Sequence, residues 1–263
     1  MGSATREALG ASVAALSTLG TADVATGEQL LAAGRVIGDS SHLLSALADP
    51  AAEAADKARV VESVFSSVNP GARSLLVSAV GNRWSSPEDL LAAIEELGIR
   101  VLARSAVATT SIESELFAFG TVVGTDPELE LAVSSKLGSA SAKAALVTTL
   151  LSTKASPQTV AIVSHLVQQP RGRRIAALLR QAAGVVADEA GLAIATVTSA
   201  TPLDAKQLDR IAAALGAARG TKLRVNHVID SSIVGGLRVQ LGDEVIDGSV
   251  ATKLNDLRLQ LAG

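Results

Sequence analysis

Residues 230–250 read DSSIVGGLRVQLGDEVIDGSV, and this pattern predicts a β-hairpin that leads directly into a helix. Leu237, Val239 and Leu241 alternate with polar residues, so one face of the first strand is apolar and the other is solvated. Residues 242–243, Gly-Asp, suit a two-residue turn, because glycine at its first position readily adopts a positive φ. The apolar strand face needs another element to cover it.

The chain returns through the apolar residues 245–246 and then meets a helix start. Residues 247–249, Asp-Gly-Ser, supply side-chain oxygens that cap a helix amino terminus. We expect Leu254 to pack on the hairpin and the far end of the same helix to meet a partner. One face of this helix carries Val250, Leu254, Leu257 and Leu261.

This stretch closely resembles the carboxyl-terminal signature of the ATP synthase delta subunit, the bacterial relative of the oligomycin-sensitivity-conferring protein. The family pattern is an Asp, a short apolar step, Gly-Gly or Ala-Gly, an alternating strand, Gly-Asp, and Ile-Asp-Gly-Ser before a Leu-rich helix. Residues 199–203, Ser-Ala-Thr-Pro-Leu, match the family's Ser-Ala-x-Pro-Leu start to the preceding helix. The resemblance is specific from Leu192 onward and weaker upstream. The matching residues are Asp230, Gly235, Gly236, Gly242, Asp243, Ile246, Asp247, Gly248, Ser249 and Leu254.

One departure from the family pattern lies at residues 251–253, Ala-Thr-Lys, where relatives often carry an Arg-Gly-Arg-like stretch. A basic charge survives there only at Lys253. The resemblance rests on the ordered set of matches and on no single dipeptide, so this departure does not remove it.

The composition independently favours closely packed helices and excludes several classes of site. Of 263 residues 48% are hydrophobic but only 2% aromatic, and alanine lets helix axes approach closely. The length predicts two or three compact units. The absence of cysteine excludes disulfides and thiolate metal sites. A net charge of −3 and scarce aromatic rings argue against a nucleic-acid partner.

The mean hydropathy of +0.37 is high, yet we expect a soluble cytoplasmic chain. The uncharged residues 8–22 are too few, and too rich in Ser, Thr and Gly, to span a bilayer. Arg6 and Glu7 cancel, so the positive region that precedes a signal-peptide core is missing. Arg6 also occupies the Ser/Thr position of a myristoylation motif. Membrane association is expected only through a larger complex.

Sliding the sequence along itself by 86 residues reveals an internal repeat from residue 30 to residue 67. Two matched pairs of glycines recur at this spacing, Gly34 with Gly120 and Gly38 with Gly124, and we interpret these glycines as helix interruptions. The alternative is a chance alignment of Ala-rich helices. Further matches at the same spacing are Leu30 with Leu116, Val36 with Val122, Leu43 with Leu129, Lys57 with Lys143 and Val61 with Val147.

Three proline-initiated helices are predicted from their capping residues. After a one-residue slip in the repeat, Pro70 corresponds to Pro157, with Asn69 and Ser156 as the helix caps. Ser86 caps a third helix, which has proline at its first position and a carboxylate three residues beyond the cap. Its apolar spacing runs from residue 90 to residue 119. We therefore expect the last helix of the first copy to continue into the first helix of the second.

The predicted fold class is mostly α with a small α+β domain. The resemblance implies a six-helix amino-terminal bundle, and the repeat implies that the bundle is duplicated. We assign residues 1–104 to the first bundle, 105–190 to the second and 191–263 to a β-α-β-β-α domain. In that domain, residues 192–198 and 223–229 predict strands, and the Thr-Pro-Leu-Asp at 201–204 repeats the helix-capping pattern with its cap at the threonine.

No catalytic, cofactor-binding or metal-binding residue is predicted. His42, His165 and His227 are far apart in sequence, and a single histidine is most often a helix-surface or core residue. No phosphate-binding Gly-x-x-x-x-Gly-Lys-Ser/Thr loop occurs in the sequence. Gly235-Gly236 precedes a strand, so close backbone packing is the favoured reading there. The basic residues Arg171, Arg173 and Arg174 fit a solvated helix start better than a phosphate or an acidic partner.

Two functional classes remain open. The resemblance implies a non-catalytic connector in the peripheral stalk of the F-type ATP synthase, between alpha subunits of the catalytic head and the membrane-anchored b subunit. Its place would be peripheral, on the cytoplasmic face of the bacterial plasma membrane, and its role would be to resist rotor torque. The alternative is a regulatory helical adaptor unrelated to the synthase. The hairpin–helix signature favours the connector.

The resemblance also implies two binding surfaces. An amphipathic alpha-subunit helix is expected in a groove between the first and fifth helices, at residues 5–19 and 70–84, because apolar burial gives affinity without chemistry. The alternative is that the groove residues merely fill the bundle core. Leu257 and Leu261 are the candidates for binding the b subunit. The candidates for the alpha-subunit groove are Val13, Leu16, Leu75 and Val80.

Overall fold

The computed structural model divides by its internal contacts into two compact units, Met1–Val186 and Ala187–Gly263. The first unit is helical, and the second combines a helix with a sheet. The predicted fold class, mostly α with a small α+β part, is therefore confirmed. The structure describes residues 2–107, 109–135, 138–233, 235–241 and 244–248.

The amino-terminal bundle consists of six helices. A short 3-10 turn at Leu16–Thr18 follows the first of them. These helices are α1 (Ser3–Ala15), α2 (Val24–Asp39), α3 (Ser41–Ala48), α4 (Ala54–Val64), α5 (Pro70–Gly81) and α6 (Pro87–Ser105). At the start of α5, Asn69 Oδ1 accepts a hydrogen bond of 2.8 Å from the Ala72 N–H. At the start of α6, Ser86 Oγ accepts one of 3.2 Å from the Asp89 N–H. Both predicted caps are confirmed, since each satisfies a backbone donor that has no intrahelical partner.

Helices α2 and α6 pack closely because each has a glycine at their crossing. A Cβ added at Gly98 of α6 would lie 2.6 Å from Leu31 Cδ2. A Cβ added at Gly27 of α2 would lie 2.5 Å from Leu102 Cγ and 3.2 Å from the Gly98 carbonyl oxygen. These distances are shorter than carbon–carbon contact, so the crossing requires residues without a side chain.

Five further helices complete the helical part: α7 (Ile112–Thr125), α8 (Pro127–Ser134), α9 (Ala140–Leu151), α10 (Pro157–Gln168) and α11 (Ile175–Glu189). The predicted continuation of α6 into the next helix is wrong. The chain becomes extended at Ala106, where ψ is 146°, and α7 starts only at Ile112. Residues 107–111, Val-Ala-Thr-Thr-Ser, are mostly β-branched or hydroxyl residues with weak helix propensity, and this explains the break.

The helices of the two bundles recur at the spacing of the sequence repeat. Helices α3 and α8 begin and end 86 residues apart, and α5 and α10 begin and end 87 residues apart. A long-range hydrogen bond recurs with them. Gln29 Oε1 accepts from the Asn69 N–H at 2.6 Å, and Glu115 Oε2 accepts from the Ser156 N–H at 2.9 Å. Both the helix positions and their tertiary contacts thus repeat.

The matched glycines of the repeat do not interrupt helices, and that interpretation is wrong. Gly34 lies inside α2 and Gly120 lies inside α7. A Cβ added at Gly34 would lie 3.1 Å from Ile94 Cγ2, and one at Gly120 would lie 3.6 Å from Leu179 Cδ1. At Gly34 the glycine lets Ile94 of a neighbouring helix approach closely, whereas the 3.6 Å at Gly120 is an ordinary contact distance.

The predicted boundary between residues 104 and 105 lies inside the first compact unit. By contact, the two bundles therefore pack together as one unit. The predicted boundary between residues 190 and 191 lies close to the border of the second unit. The assignment of three separate domains stays a prediction.

The carboxyl-terminal unit contains a four-stranded sheet with the strand order β2-β1-β3-β4. Strands β1 and β2 are parallel, and β3 pairs antiparallel with both β1 and β4. Ala195, Val197 and Val239 form its buried centre, which Ile211 and Leu215 of the helix cover from one side. The elements are β1 (Leu192–Ser199), α12 (Ala205–Arg219), β2 (Lys222–Ile229), β3 (Leu237–Leu241) and β4 (Glu244–Asp247).

Helix α12 starts three residues later than its sequence pattern predicted, because Asp204 and not Thr201 is the cap. Asp204 Oδ1 accepts from the Gln207 N–H at 2.7 Å, and Gln207 Oε1 accepts from the Asp204 N–H at 2.9 Å. This reciprocal pair satisfies two backbone donors at once, whereas a threonine cap at residue 201 would satisfy one. The predicted β-α-β-β order is otherwise present in the described residues, and the final helix lies outside them.

Among the residues that the structure describes, no helix combines the length and the apolar character needed to cross a membrane. The longest, α6, contains Glu88, Asp89, Glu95, Glu96, Arg100 and Arg104.

Candidate interaction site

Polar contacts fix α1 against α5 and α6, and so define the seam at which an alpha-subunit groove is predicted. Thr5 Oγ1 donates to Asp89 Oδ2 at 2.8 Å and accepts from the Ser85 N–H at 3.1 Å. Asn82 Nδ2 donates to Ser12 Oγ at 3.1 Å. Ser12 is buried, so this bond closes the far end of the α1/α5 seam.

Three of the four predicted groove residues have almost no exposed surface. Leu16, Leu75 and Val80 are 0%, 2% and 0% exposed and belong to the core of the first bundle. They therefore pack the bundle in the free chain, and their contact with a partner, which would require the seam to open, stays a prediction. Val13 is half-buried, packs against that core and keeps surface at the seam.

Residues beside the predicted ones supply the accessible part of the α1/α5 seam. On α1, Leu9 and Val13 are half-buried and pack against the bundle core. On α5, Ser74 is exposed, and Val77 and Ser78 are half-buried. We take these five residues, which combine apolar surface with small polar side chains, as the accessible part of the predicted site and call them the α1/α5 groove. Such a strip can accommodate the apolar face of an amphipathic helix.

The family signature residues before β3 form a tight backbone arrangement. Asp230 Oδ1 accepts from the Ser232 N–H at 2.9 Å. Hydrogen bonding from the Ser232 side chain, and then from this backbone N–H, holds the pKa of the Asp230 carboxyl below its usual value. Gly235 and Gly236 have φ values of 74° and 82°, a region that residues with a Cβ rarely adopt. The Gly-Gly pair is thus favoured by its backbone conformation, and the close backbone packing expected there stays a prediction.

The signature residues after the hairpin turn lie on β4 and its edge. Arg238 Nη2 donates to Asp247 Oδ2 at 3.1 Å across the β3–β4 pair. The Gly248 N–H donates to the Leu237 carbonyl at 2.9 Å, and Ile246 remains 44% exposed. The signature and partner-binding predictions for the remaining positions lie outside the described residues: Gly242, Asp243, Ser249, Leu254, Leu257 and Leu261.

A buried ionic cluster joins α6, α10, α2 and the loop before α11. Glu95 of α6 is 6% exposed, and three residues make four contacts with its two carboxylate oxygens. Arg171 Nη2 lies 2.8 Å and His165 Nε2 lies 3.2 Å from Glu95 Oε2. Arg173 Nη2 donates to both oxygens, at 3.0 and 3.1 Å. Arg35 Nη1 of α2 lies 2.9 Å from His165 Nδ1.

The hydrogen bonds assign the charge state of His165. Arg35 can only donate, so His165 Nδ1 accepts, and the ring proton is on Nε2, where it donates to Glu95. Burial lowers the pKa of His165 and keeps the ring neutral, although Glu95 opposes this. Burial alone would raise the pKa of Glu95, but His165, Arg171 and Arg173 outweigh it and hold that pKa below its usual value.

The cluster predicts a stability that falls in mild acid. The folded chain holds His165 neutral, so below a pH of about 6.5 the unfolded chain binds a proton that the folded chain excludes. In thermal melts, Tm should fall as the pH is lowered from 7 to 5. This range lies above the lowered pKa of Glu95, so Glu95 stays ionised. His165→Gln, which keeps a donor and an acceptor but does not titrate, should flatten this dependence.

The exposed His42 provides the matched control for that pH dependence. His42→Gln should leave the slope of Tm against pH unchanged. If His165→Gln and His42→Gln give the same slope as the unmodified chain, the neutral buried state of His165 is wrong.

The predicted solvated role of Arg171 and Arg173 is wrong, because both bind Glu95 of their own chain, 76 and 78 residues away in sequence. Arg174 is exposed, as that prediction had it. The one available signal was Glu95 itself, a carboxylate on a helix face whose neighbours Leu91 and Ile94 are apolar. A buried acid of this kind predicts a basic partner, without saying which one.

The other histidines do not join this cluster. His42 is exposed on α3, and His227 Nε2 lies 2.7 Å from Ser199 Oγ in the carboxyl-terminal sheet. Over the described ranges, no three His, Cys, Asp or Glu side chains come together in a way that could hold a metal ion.

A second surface feature of the helical unit is an open cavity of about 960 Å³ in the second bundle. It lies between α7, α9 and the start of α10, and apolar side chains dominate its lining. Ser105 and Glu115 also line it, and Glu115 accepts hydrogen bonds from the Ser156 backbone and hydroxyl. The apolar lining residues include Phe119, Val122, Leu129, Leu150 and Leu151.

Comparison with known proteins gives a consistent result over the whole chain. The family model described as ATP synthase delta (OSCP) subunit matches residues 99–261. A protein of Leifsonia xyli subsp. xyli named ATP synthase subunit delta is 55% identical over 264 residues, covering 100% of both chains. The ATP synthase subunit delta of Streptomyces griseus subsp. griseus is 36% identical over 271 residues, again covering 100% of both chains.

Among solved structures, a chain in the cryo-EM structure of the Toxoplasma gondii mitochondrial ATP synthase hexamer matches with a TM-score of 0.42. It is 23% identical, and the match covers 64% of this chain and 96% of that one. The assignment to the family therefore rests on the family model and on the two bacterial proteins that match over their full length.

Proposed function

Because this chain belongs to the ATP synthase delta (OSCP) subunit family, we propose that it links alpha subunits of the catalytic head to the membrane-anchored b subunit. Family membership makes it a non-catalytic component of the ATP synthase stator. The observation that carries the proposal is the 55% identity over the full length of a delta subunit. The carboxyl-terminal signature, with its positive-φ glycines, supports it from the structure.

The proposed mechanism is mechanical. Rotation of the central rotor exerts torque on the catalytic head, and a stator connector must hold the head without doing chemistry. Such a connector needs high-affinity contacts at two places and a folded body between them. The chain supplies two folded bodies. The two helical bundles pack as one compact unit, and the carboxyl-terminal sheet forms the other unit.

We place the alpha-subunit contact at the α1/α5 groove, following the family resemblance. Leu9, Val13 and Val77 offer apolar surface there, and Ser74 and Ser78 allow a helix to approach closely. An amphipathic helix that buries its apolar face in such a groove gains affinity roughly in proportion to the area removed from water. A charge in the groove would have to be desolvated, which opposes binding.

Val77→Asp is expected to weaken binding of a synthetic peptide covering the alpha-subunit amino terminus by at least about tenfold, or about 1.4 kcal/mol. The bundle should remain folded, because Val77 is only half-buried. Isothermal titration calorimetry measures the affinity, and circular dichroism measures the melting temperature.

The matched control for this measurement is Val36→Asp, at a valine of α2 that is 50% exposed and lies outside the groove. It should leave the affinity unchanged. If both variants weaken binding equally, the peptide does not bind in the α1/α5 groove. If Val77→Asp unfolds the bundle, Val77 is a core residue and not a groove residue.

The b-subunit contact is proposed at the end of the sequence, where Leu257 and Leu261 continue the apolar stripe of the predicted helix. Leu261→Ala should weaken capture of the b subunit in a pull-down and leave the melting temperature of the isolated chain nearly unchanged. Leu254→Ala should instead lower the free energy of unfolding by about 2–5 kcal/mol, as expected for a packed leucine. Equal destabilisation by the two variants would make Leu261 a core residue and contradict the proposal.

This function places the chain at the cytoplasmic face of the plasma membrane, attached through the complex. The alternative, a helical adaptor outside the synthase, also fits an Ala-rich bundle. Purification of the native synthase distinguishes the two, because a connector co-migrates with alpha and b subunits and an unrelated adaptor does not.

A further inference from the structure

The second bundle contains a structural counterpart of the α1/α5 groove, formed by α6 and α10. In the first bundle, Leu19 at the end of the α1 segment packs on Gly71 of α5, where an added Cβ would lie 2.9 Å from Leu19 Cδ1. Extended beyond residues 30–67, the 86-residue offset relates Leu19 to Ser105, and the 87-residue offset of α5 and α10 relates Gly71 to Gln158. In the second bundle, Gln158 Nε2 donates to Ser105 Oγ at 3.3 Å. The end of α6 thus meets the start of α10 as the α1 segment meets α5.

Helix α6 therefore has two roles. It is the sixth helix of the first bundle, and it takes the place of a first helix in the second bundle. This double role fits the five helices, α7 to α11, that follow Ser105 in the part of the helical unit that the structure describes. It also gives each groove residue of the first bundle a counterpart in the second, by adding 86 on α1 and 87 on α5.

The second groove is more buried at four of the five counterpart positions, and the exception is Val77 with its counterpart Ser164, which are both half-buried. Ser74 is exposed, but its counterpart Ala161 is 9% exposed. Ser78 is half-buried, but its counterpart His165 is 2% exposed. On the partner helix, the half-buried Leu9 corresponds to the buried Glu95.

The α6/α10 groove is covered by α2 and by the loop that follows α10. Arg35 of α2 bonds to His165, and Gly38 of α2 lies directly against the Gln169 side chain. From the other side, Arg171 and Arg173 bind Glu95. The buried ionic cluster thus stands where the first bundle presents Leu9 and Ser78 to solvent. Removing α2 would leave the buried His165 Nδ1 without its donor Arg35, and this loss opposes opening of the cover.

We propose that the chain's own helix α2 occupies the second copy of the partner groove, so that each chain offers one alpha-type helix site instead of two. The duplication then enlarges the connector and joins its bundles through the Glu95–His165 cluster, without adding a second site. The claim of one site rests on the proposed function, whereas the closure of the α6/α10 groove does not.

The closure of the α6/α10 groove can be tested without any partner, by cysteine labelling. The chain has no cysteine, so each introduced thiol is the single labelling site of its variant. Ser74→Cys and Ala161→Cys place a thiol at counterpart positions of α5 and α10 with little change in volume. In the native full-length chain, maleimide should label Ala161→Cys about 100-fold more slowly than Ser74→Cys, and both should label equally fast in urea. Comparable labelling rates in the native chain would overturn the proposal.

A second variant confirms what provides the cover. Adding Arg35→Ala to Ala161→Cys should increase its labelling rate, because α2 loses its bond to His165. Arg59→Ala, which removes an exposed arginine paired with Asp56, is the control and should have no effect. An Arg35→Ala rate equal to that of the control would show that α2 does not hold the groove closed.

The number of sites is measured by calorimetric titration of the full-length chain with the synthetic alpha-subunit peptide. The expected stoichiometry is one peptide per chain, and Val77→Asp should weaken that one site. Two peptides per chain, or one peptide whose affinity Val77→Asp leaves unchanged, would overturn the proposal. No binding together with slow Ala161→Cys labelling would overturn the proposed function while supporting the closed groove.

Discussion

Replacing Glu95 by alanine is expected to lower the free energy of unfolding of the helical unit by about 3–5 kcal/mol. Glu95 is the carboxylate that both Arg171 and Arg173 bind. Without it, these cations lose their counterion and His165 loses the acceptor of its Nε2 proton. Urea denaturation followed by circular dichroism measures the loss.

The matched control for Glu95→Ala is Glu62→Ala, at an exposed glutamate of α4. Its effect should stay within about 0.5 kcal/mol, as for most surface substitutions. If Glu95→Ala costs no more than Glu62→Ala, the cluster contributes nothing to the union of the two bundles. If Glu95→Gln destabilises the chain as much as Glu95→Ala does, the loss is due to the missing charge. If Glu95→Gln destabilises it less, the difference between the two variants is due to the hydrogen bonds that glutamine retains.

Gly98→Val is expected to destabilise the chain by about 1–3 kcal/mol or to prevent folding. A Cβ at residue 98 would lie 2.6 Å from Leu31 Cδ2, and the added methyl groups of valine need still more room. The α2/α6 crossing can open only by moving α2 away from α6, the helix that both bundles share. Melting temperature and expression of soluble chain are the measurements.

The control for Gly98→Val is Gly124→Val, near the end of α7, where an added Cβ would have no atom within 4 Å. This variant carries the same loss of backbone freedom and the same β-branched side chain in a helix, so the difference between the two isolates the crossing. Equal effects would mean that the two helices are not in close contact at Gly98.

Local features of the fold were predictable from the sequence because their causes are local. The alternation of Leu237 to Leu241 identifies a half-buried strand, and the order of strands and helix in the carboxyl-terminal unit agrees with it. Asn69 and Ser86 identify helix starts because the hydrogen bonds that they make reach only three residues. The cap of α12 was misplaced because Thr201 and Asp204 are both acceptable capping residues and only the tertiary structure chooses between them.

The interaction surfaces were less predictable because they depend on contacts that are distant in sequence. Leu16, Leu75 and Val80 have the right character for a groove, but apolar residues of a bundle face either the core or a partner, and periodicity does not distinguish these. The ionic cluster joins Glu95 to His165 across 70 residues. Its existence could be suspected from a carboxylate on an apolar face, but not its partners.

The glycines show the same limit in a different form. A glycine in a helical sequence is either an interruption or a site of close approach, and the choice depends on what lies opposite. Gly34 lies opposite Ile94, and Gly98 lies opposite Leu31. Both opposing side chains belong to a neighbouring helix, so the local sequence around each glycine does not reveal them. The repeat itself was readable, whereas the sharing of α6 between the two bundles was not.

The central claim is that this chain holds the catalytic head through the α1/α5 groove as part of the synthase. The most direct test uses Ser74→Cys, the unique thiol of an affinity-tagged chain, labelled with a benzophenone maleimide and incorporated into the synthase. After purification and irradiation, the chain should co-purify with alpha and b subunits and crosslink to the amino-terminal segment of one alpha subunit. Recovery of the chain apart from the synthase, or an alpha crosslink from Ala161→Cys and none from Ser74→Cys, would contradict the claim.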